Sequence, residues 1–279
     1  MGRLGFVLAI LLAASAADAQ ESPYFVAYDH YLEEPGALEL AINPVYASQR
    51  GGNEFLAGYM EIEYGATAWW TTELYLDGQH TMNDSTLFTG FRWENRFRPL
   101  QREHAVNPIL YVEYEDLNGA DKIMKAVVGH DVEADHAEPN ADLHEESERE
   151  LELKLILSST FSGWNFSENI IAVKNLAGDP WEFGYAWGFS RPLALAASPE
   201  RCTLCRENFV AGLEMYGGLG DTDQFGLDGT SHYAAPLIAW NLPSGISLRF
   251  SPGWGLNDDS HRFLLRFGLS YEFSHVGRR

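Results

Sequence analysis

Basic residues are scarce in this 279-residue chain: 19 Lys and Arg stand against 40 Asp and Glu, a formal net charge of -21. A chain so acidic is repelled by nucleic acid and by anionic membrane surfaces, which argues against both as partners. Cysteine is nearly absent. Two residues, Cys202 and Cys205, cannot hold a chain of this length together as a disulfide-built mini-domain. Long apolar runs are missing after the first twenty residues, so no later segment reads as a transmembrane helix. Helical periodicity of useful length is missing as well.

What is present begins with "MGRLGFVLAILLAASAADAQ". It has a lone Arg3, an apolar run from Leu4 to Ala14, and the small-x-small triplet Ala17-Asp18-Ala19. That pattern predicts a secretory signal peptide over residues 1–19, cleaved after Ala19. A short membrane anchor is the alternative, but the apolar run falls short of the roughly 20 residues that span a bilayer.

The rest of the chain keeps a period of two. In "SERELELKLILSST", Leu151, Leu153, Leu155 and Leu157 scatter around a helix but share one face of a strand, opposite Glu148, Glu150, Glu152 and Lys154. "LFTGFRWENRFRPL" sets Phe91, Trp93 and Phe97 against Arg92, Glu94, Arg96 and Arg98, and "HRFLLRFGLSYEF" repeats the pattern at the end of the chain. The spacing predicts twelve strands: 36–47, 54–64, 67–77, 87–99, 108–117, 147–160, 164–174, 181–193, 206–219, 232–241, 245–254 and 261–273. Strand 164–174 is ambiguous, because both of its faces are mixed.

A soluble sandwich also has one apolar and one charged face. Three features favour a membrane barrel instead. Most strands have about ten residues, the length a tilted membrane crossing needs, against about five or six in ordinary domains. Connections at 65–66, 161–163 and 242–244 are short, while those at 78–86, 118–146 and 220–231 are long. Aromatics gather at strand ends, among them Tyr64, Trp69, Trp70, Trp181, Trp240, Trp254, Tyr271 and Phe273. A sheet in lipid has to close, because an edge would leave backbone groups without partners. The expected fold is therefore all-β, a transmembrane antiparallel up-and-down β-barrel of about 12 strands over 36–273. An arm at 20–35 lies in the periplasm or the lumen, and a tail follows at 274–279.

The runs "EIEYGATAWWTTELYL" (61–76), "FRWENRFRP" (91–99), "LYVEYE" (110–115) and "ELELKLILSSTF" (150–161) resemble a family of uncharacterised bacterial outer-membrane β-barrels labelled as porins or transporters. The similarity spans roughly 36–190, and its motifs are strand patterns that imply a fold and no substrate. The last strand, ending at Phe273, resembles the assembly signal of outer-membrane proteins, although "SHVGRR" follows it.

On this fold the inward faces carry Glu61, Glu63, Glu73, Glu94, Glu113, Glu115, Glu152, Glu182 and Glu214 against Arg92, Arg96, Arg98, Lys154, Arg249 and Arg266. Arg92 is expected opposite Glu115, and Arg96 diagonal to Glu113. One reading is an ion-pair network that fills a narrow barrel. The other is a water-filled path that favours cations or neutral polar solutes.

The acidic stretch 130–150 holds His130, His136 and His144 among Asp131, Asp135, Asp142, Glu133, Glu138, Glu145 and Glu146, but matches no closed metal motif. It is read as a solvated loop, with divalent ions shared with lipopolysaccharide phosphates as a lesser role. "RCTLCRE" (201–207) has Arg206 where haem attachment needs His. A local Cys202–Cys205 disulfide is the expectation. Ser231-His232 and Ser260-His261 could suggest a lipid hydrolase, but strand neighbours point to opposite faces and cannot form a dyad.

The sequence thus predicts a monomeric outer-membrane channel for small polar or cationic solutes, with no enzymatic role, cofactor or metal. A closed structural or surface cation-binding barrel is the alternative, an outer-membrane lipid hydrolase a lesser one. Expected partners are outer-membrane lipid, lipopolysaccharide, the barrel-assembly machinery through the last strand, and small polar solutes.

Overall fold

The structure, a computed structural model, describes residues 22–123, 125–130, 138–198 and 202–273. The predicted signal peptide, the centre of the acidic stretch (Asp131, Glu133, Asp135 and His136 among its residues) and the 274–279 tail lie outside the described residues. Twelve strands form in chain order: β1 (Leu38–Ser48), β2 (Phe55–Thr67), β3 (Trp70–Thr81), β4 (Thr86–Phe97), β5 (Asn107–Asn118) and β6 (Ser147–Phe161). They continue as β7 (Trp164–Asn175), β8 (Trp181–Pro192), β9 (Phe209–Asp221), β10 (His232–Asn241), β11 (Ile246–Gly255) and β12 (Phe263–Phe273). Each pairs antiparallel with its sequence neighbours, and β1 closes on β12 with Leu38 opposite Phe273. No strand is left with an open edge, which satisfies every ladder without water.

Burial fixes which face is which. Phe91 and Trp93 are 37% and 53% exposed, while Arg92 and Glu94 between and beside them are 3% and 0%. In β6, Leu155 lies outside whereas Glu152 and Lys154 are buried. A water-soluble domain has the opposite order, apolar in and charged out. Apolar outside and charged inside is the arrangement that hydrocarbon requires. Rings cluster at both ends of the strands, with Trp70 stacked on Phe97 and Phe209 on Trp240 at one end, and Trp254 beside Phe263 at the other.

Both ends of the closed sheet emerge at what we term the turn end, beside connections 68–69 and 162–163; the opposite end is the loop end. The contrast of short and long connections is weaker than expected. At the loop end 78–86 reduces to the turn 82–85, and at the turn end 98–106 and 193–208 are long. Strand β3 runs on through Gln79 and Thr81, whose side chains meet the interior: Gln79 accepts the Lys122 N–H, and Thr81 accepts Asn140 Nδ2. Polar residues there serve the lumen, so the alternation fades while the strand continues.

Two segments fold into the barrel. Residues 22–37 rise from the turn end, and Tyr24, Phe25, Val26 and Ala27 are buried against the inner wall. From the loop end, Lys122, Lys125 and Val127 of the connection between β5 and β6 are buried in the interior. The wall is hollowed to receive them. A Cβ on Gly188 would sit 2.7 Å from the Tyr24 ring, and one on Gly184 would collide with the Val127 carbonyl. Val26 and Val127 belong to one apolar cluster with Ile171, Val173, Ala186, Tyr216 and Tyr233.

Candidate functional site

The charged half of the lumen is built by β2–β6. Two arginines on β4 organise it. Arg92 donates to both oxygens of Asp77, at 3.1 and 2.8 Å, and stands 3.6 Å from Glu113. Arg96 pairs with Glu63 at 2.6 Å, with Glu73, and with Glu94 at 3.0 Å. Arg92 does lie opposite Glu115 in the ladder, and Glu94 opposite Glu113, which leaves Arg96 diagonal to Glu113. The guanidinium groups nevertheless reach other partners: Asp77 and Glu73 on β3, Glu63 on β2, Glu94 on β4 itself and Glu113 on β5. Curvature of a closed sheet brings inward side chains of neighbouring strands together, so a long arginine reaches past its direct cross-strand neighbour. Asp77 was absent from the predicted set because the strand appeared to end there.

Lys125, from the in-folded connection, completes the cluster. Its Nζ lies 2.8 Å from Glu94 Oε2, 3.6 Å from Glu113 Oε2 and 3.6 Å from the centre of the Tyr75 ring. The same Glu94 oxygen accepts the Tyr75 hydroxyl at 2.8 Å and the Tyr28 hydroxyl, from the other in-folded segment, at 3.0 Å. Burial opposes the charge on Lys125, but Glu113 and Glu94 outweigh it and hold its pKa well above the usual lysine value. On β6, Lys154 pairs with Glu152 at 2.6 Å and lies over the Tyr111 ring.

Across the lumen the charged residues do something else. Glu214 Oε1 accepts three consecutive backbone N–H groups, from Phe25, Val26 and Ala27, at 2.7–3.0 Å. Arg249 donates to the carbonyls of Tyr24 and Ser22 and to Asn43, whose amide in turn donates to Glu61. Arg266 is buried beside the Tyr216 ring. Tyr24 donates to Asn165 and Ser190, both at 2.9 Å.

Two cavities flank the meeting point of the in-folded segments. The outer one, about 510 Å³, faces the loop end and is lined by nine carboxylate residues, Glu113, Glu115 and Glu152 among them, against Arg92, Lys122 and Lys125. The inner one, about 110 Å³, includes Glu61, Glu63, Glu73, Arg96 and Arg249. Lys125 lines both. Glu113, Glu115 and Glu152 bring carboxylate oxygens within 4.8 Å of one another, as do Glu39, Glu61 and Glu63. The cations standing among them already answer that charge, and neither trio is read as a metal centre.

The remaining candidates fall elsewhere. Arg98 lies beyond the end of β4, where it donates to the Leu100 carbonyl and stands 3.7 Å from Glu103. Glu182 sits at the rim of the outer cavity. Cys202 and Cys205 are joined as a disulfide with Cα atoms 5.4 Å apart, in the turn-end connection 193–208. The hydroxyls of Ser231 and Ser260 donate to the carbonyls of Asp259 and His232, and the His232 ring contacts Tyr185 and Thr230. His144 bonds carbonyls of its own helical turn.

A closed twelve-stranded barrel with an apolar exterior and a charged interior has the architecture of a transmembrane β-barrel. Solved structures agree on the fold. The chain is similar to an outer membrane channel from Pseudomonas putida F1, with TM-score 0.55 and 11% identity over 88% of this chain and 98% of that one. It is also similar to the KdgM porin, with TM-score 0.51 and 7% identity over 84% of this chain and 99% of that one. A second KdgM structure, in complex with disordered oligogalacturonate, matches at TM-score 0.51 and 6% identity over the same shares. No protein-family model and no curated protein matches the sequence.

Proposed function

We propose that this barrel sits in the bacterial outer membrane and lets small polar and cationic solutes pass by diffusion through its lumen. The observation that carries the reading is the outer cavity, about 510 Å³ of acid-lined space that leads from the loop end to the Lys125 cluster. Nine carboxylates against three cations make it a region of negative potential, which concentrates cations and repels anions. The oligogalacturonate found with the KdgM porin is a polyanion, and this lumen has the wrong sign for one. Residues 1–19 would direct export, and the last strand would present the chain to the assembly machinery, with lipid and lipopolysaccharide around the finished barrel. A lipid hydrolase is disfavoured because both serines beside histidines spend their hydroxyls on backbone carbonyls.

Planar-bilayer recording of the purified, refolded protein tests the proposal. Discrete openings that favour cations, with selectivity reduced in the Glu113→Gln/Glu115→Gln double variant, are expected. Absence of conductance at any voltage supports a closed structural barrel instead. Lipid hydrolysis that survives purification would overturn both.

A further inference from the structure

The cations of the charged wall differ in how they are held. Arg92, Arg96 and Lys154 project from strands β4 and β6 and cannot leave without unfolding the sheet. Lys125 hangs on the connection between β5 and β6. Its ammonium occupies a cage of Glu94, Glu113 and the Tyr75 ring, at 2.8, 3.6 and 3.6 Å, with the Tyr28 ring at 5.3 Å. Carboxylates combined with aromatic faces are the chemistry that recognises an organic ammonium ion.

Both carboxylates of the cage have a partner besides Lys125. Glu94 keeps Arg96 at 3.0 Å and the two tyrosine hydroxyls, and Glu113 keeps Arg92 at 3.6 Å. The fit of Lys125 is also incomplete. Glu113 is 1% exposed, yet its Oε2 accepts no hydrogen bond, and the tethered ammonium stands 3.6 Å off. A freely diffusing ammonium could approach that oxygen more closely. The position is on the route as well, because Lys125 is the residue that lines both cavities.

We propose that the Lys125 seat is the cation-binding site of the lumen, occupied by the protein's own side chain as a displaceable stand-in, and that its external ligand is a primary alkylammonium ion. The ligand's N–H groups take the Glu94 and Glu113 oxygens, its charge faces Tyr75, and its alkyl chain extends into the outer cavity. This rests on the channel reading for its biological use, but the seat can be tested apart from it.

The test uses the full-length protein, n-butylammonium chloride as probe, and tetramethylammonium chloride, which carries the charge without N–H donors, as control. In bilayers, Lys125→Ala is expected to conduct more than wild type and to be blocked by n-butylammonium at concentrations at least tenfold lower. Tetramethylammonium should distinguish neither protein, and adding Glu94→Gln should abolish the extra sensitivity. In detergent, n-butylammonium should raise the unfolding temperature of Lys125→Ala and leave wild type unmoved. Should Lys125→Ala not fold, Lys125→Met, which keeps the packing stem, takes its place. If neither folds even with the amine present, Lys125 is a fixed structural pin and the proposal falls. Equal amine sensitivity of wild type and variant, or equal potency of the two amines, also overturns it. A thermal shift without any conductance keeps the seat and removes the channel. Conductance with neither block nor shift does the reverse.

Discussion

The two walls of the lumen use charge differently. On β2–β6, inward carboxylates and cations answer one another: Arg92 with Asp77, Arg96 with Glu63 and Glu94, Lys154 with Glu152. On β7–β12 and β1 the inward side is mostly small or apolar, with Ile171, Val173, Ala186, Tyr233, Leu237 and Val45 packed around the in-folded segments. Two of its charged residues, Glu214 and Arg249, bind the backbone of residues 22–27. One wall is a network of buried ion pairs. The other clamps the in-folded segments.

The largest expected effect breaks the charged wall. Arg96→Met leaves Glu63, Glu73 and Glu94 buried without their common partner, and removing one member of a buried ionic cluster costs about 3–5 kcal/mol. Thermal or urea unfolding in detergent should show that loss, and Arg96→Lys should recover part of it. On the clamping wall, Glu214→Ala strips the one oxygen that three buried N–H groups share, and should cost at least what a single bond to a charged group is worth, about 1.5–3 kcal/mol. Conductance should rise at the same time, because residues 22–27 lose their anchor. A fall in stability with unchanged conductance would show that the segment does not narrow the route.

A gentler change on the same wall is Gly188→Leu. Its side chain needs the space that the Tyr24 ring holds, and overpacking of this kind costs roughly 1–3 kcal/mol. Loss of the Tyr24 bonds to Asn165 and Ser190 should appear as faster proteolysis of residues 22–35.

The smallest effect is one of pH, on the connection that carries Lys125. Burial and the neighbouring Asp77 push the Asp121 carboxyl up to about 7, while Thr89 and the Ile123 N–H work against that rise. A raised carboxylate pKa means that the folded state holds the proton more tightly. Its stabilising contribution is complete below the ordinary value of 3.8 and is lost as pH rises through about 7. Hydrogen exchange of 119–123, corrected for its intrinsic pH dependence, should therefore be faster at pH 8 than at pH 5.5. Asp121→Asn should remove that difference.

The strands were legible in the sequence because lipid and lumen impose opposite demands on alternate residues, as β4 and β6 show. Strand β7 was ambiguous for a physical reason. Its inward Ile171 and Val173 pack on the in-folded segments, so apolar residues occupy both of its faces. The ionic partners were less legible than the ladder, since register places Cα atoms and leaves long side chains free to choose. Lys125 and Lys122 carried no periodic signal within a connection that reads as an exposed acidic loop. Tyr24, Phe25 and Tyr28 offered a better clue, for so many rings are out of place on a solvated arm.

The most direct measurement is the reversal potential of single channels formed by a barrel lacking residues 22–35, recorded across a potassium chloride gradient. Larger openings than those of the full chain, reversing toward the potassium equilibrium potential, are expected from an acid-lined route narrowed by that segment. Openings of unchanged size, or reversal toward the chloride potential, would contradict it.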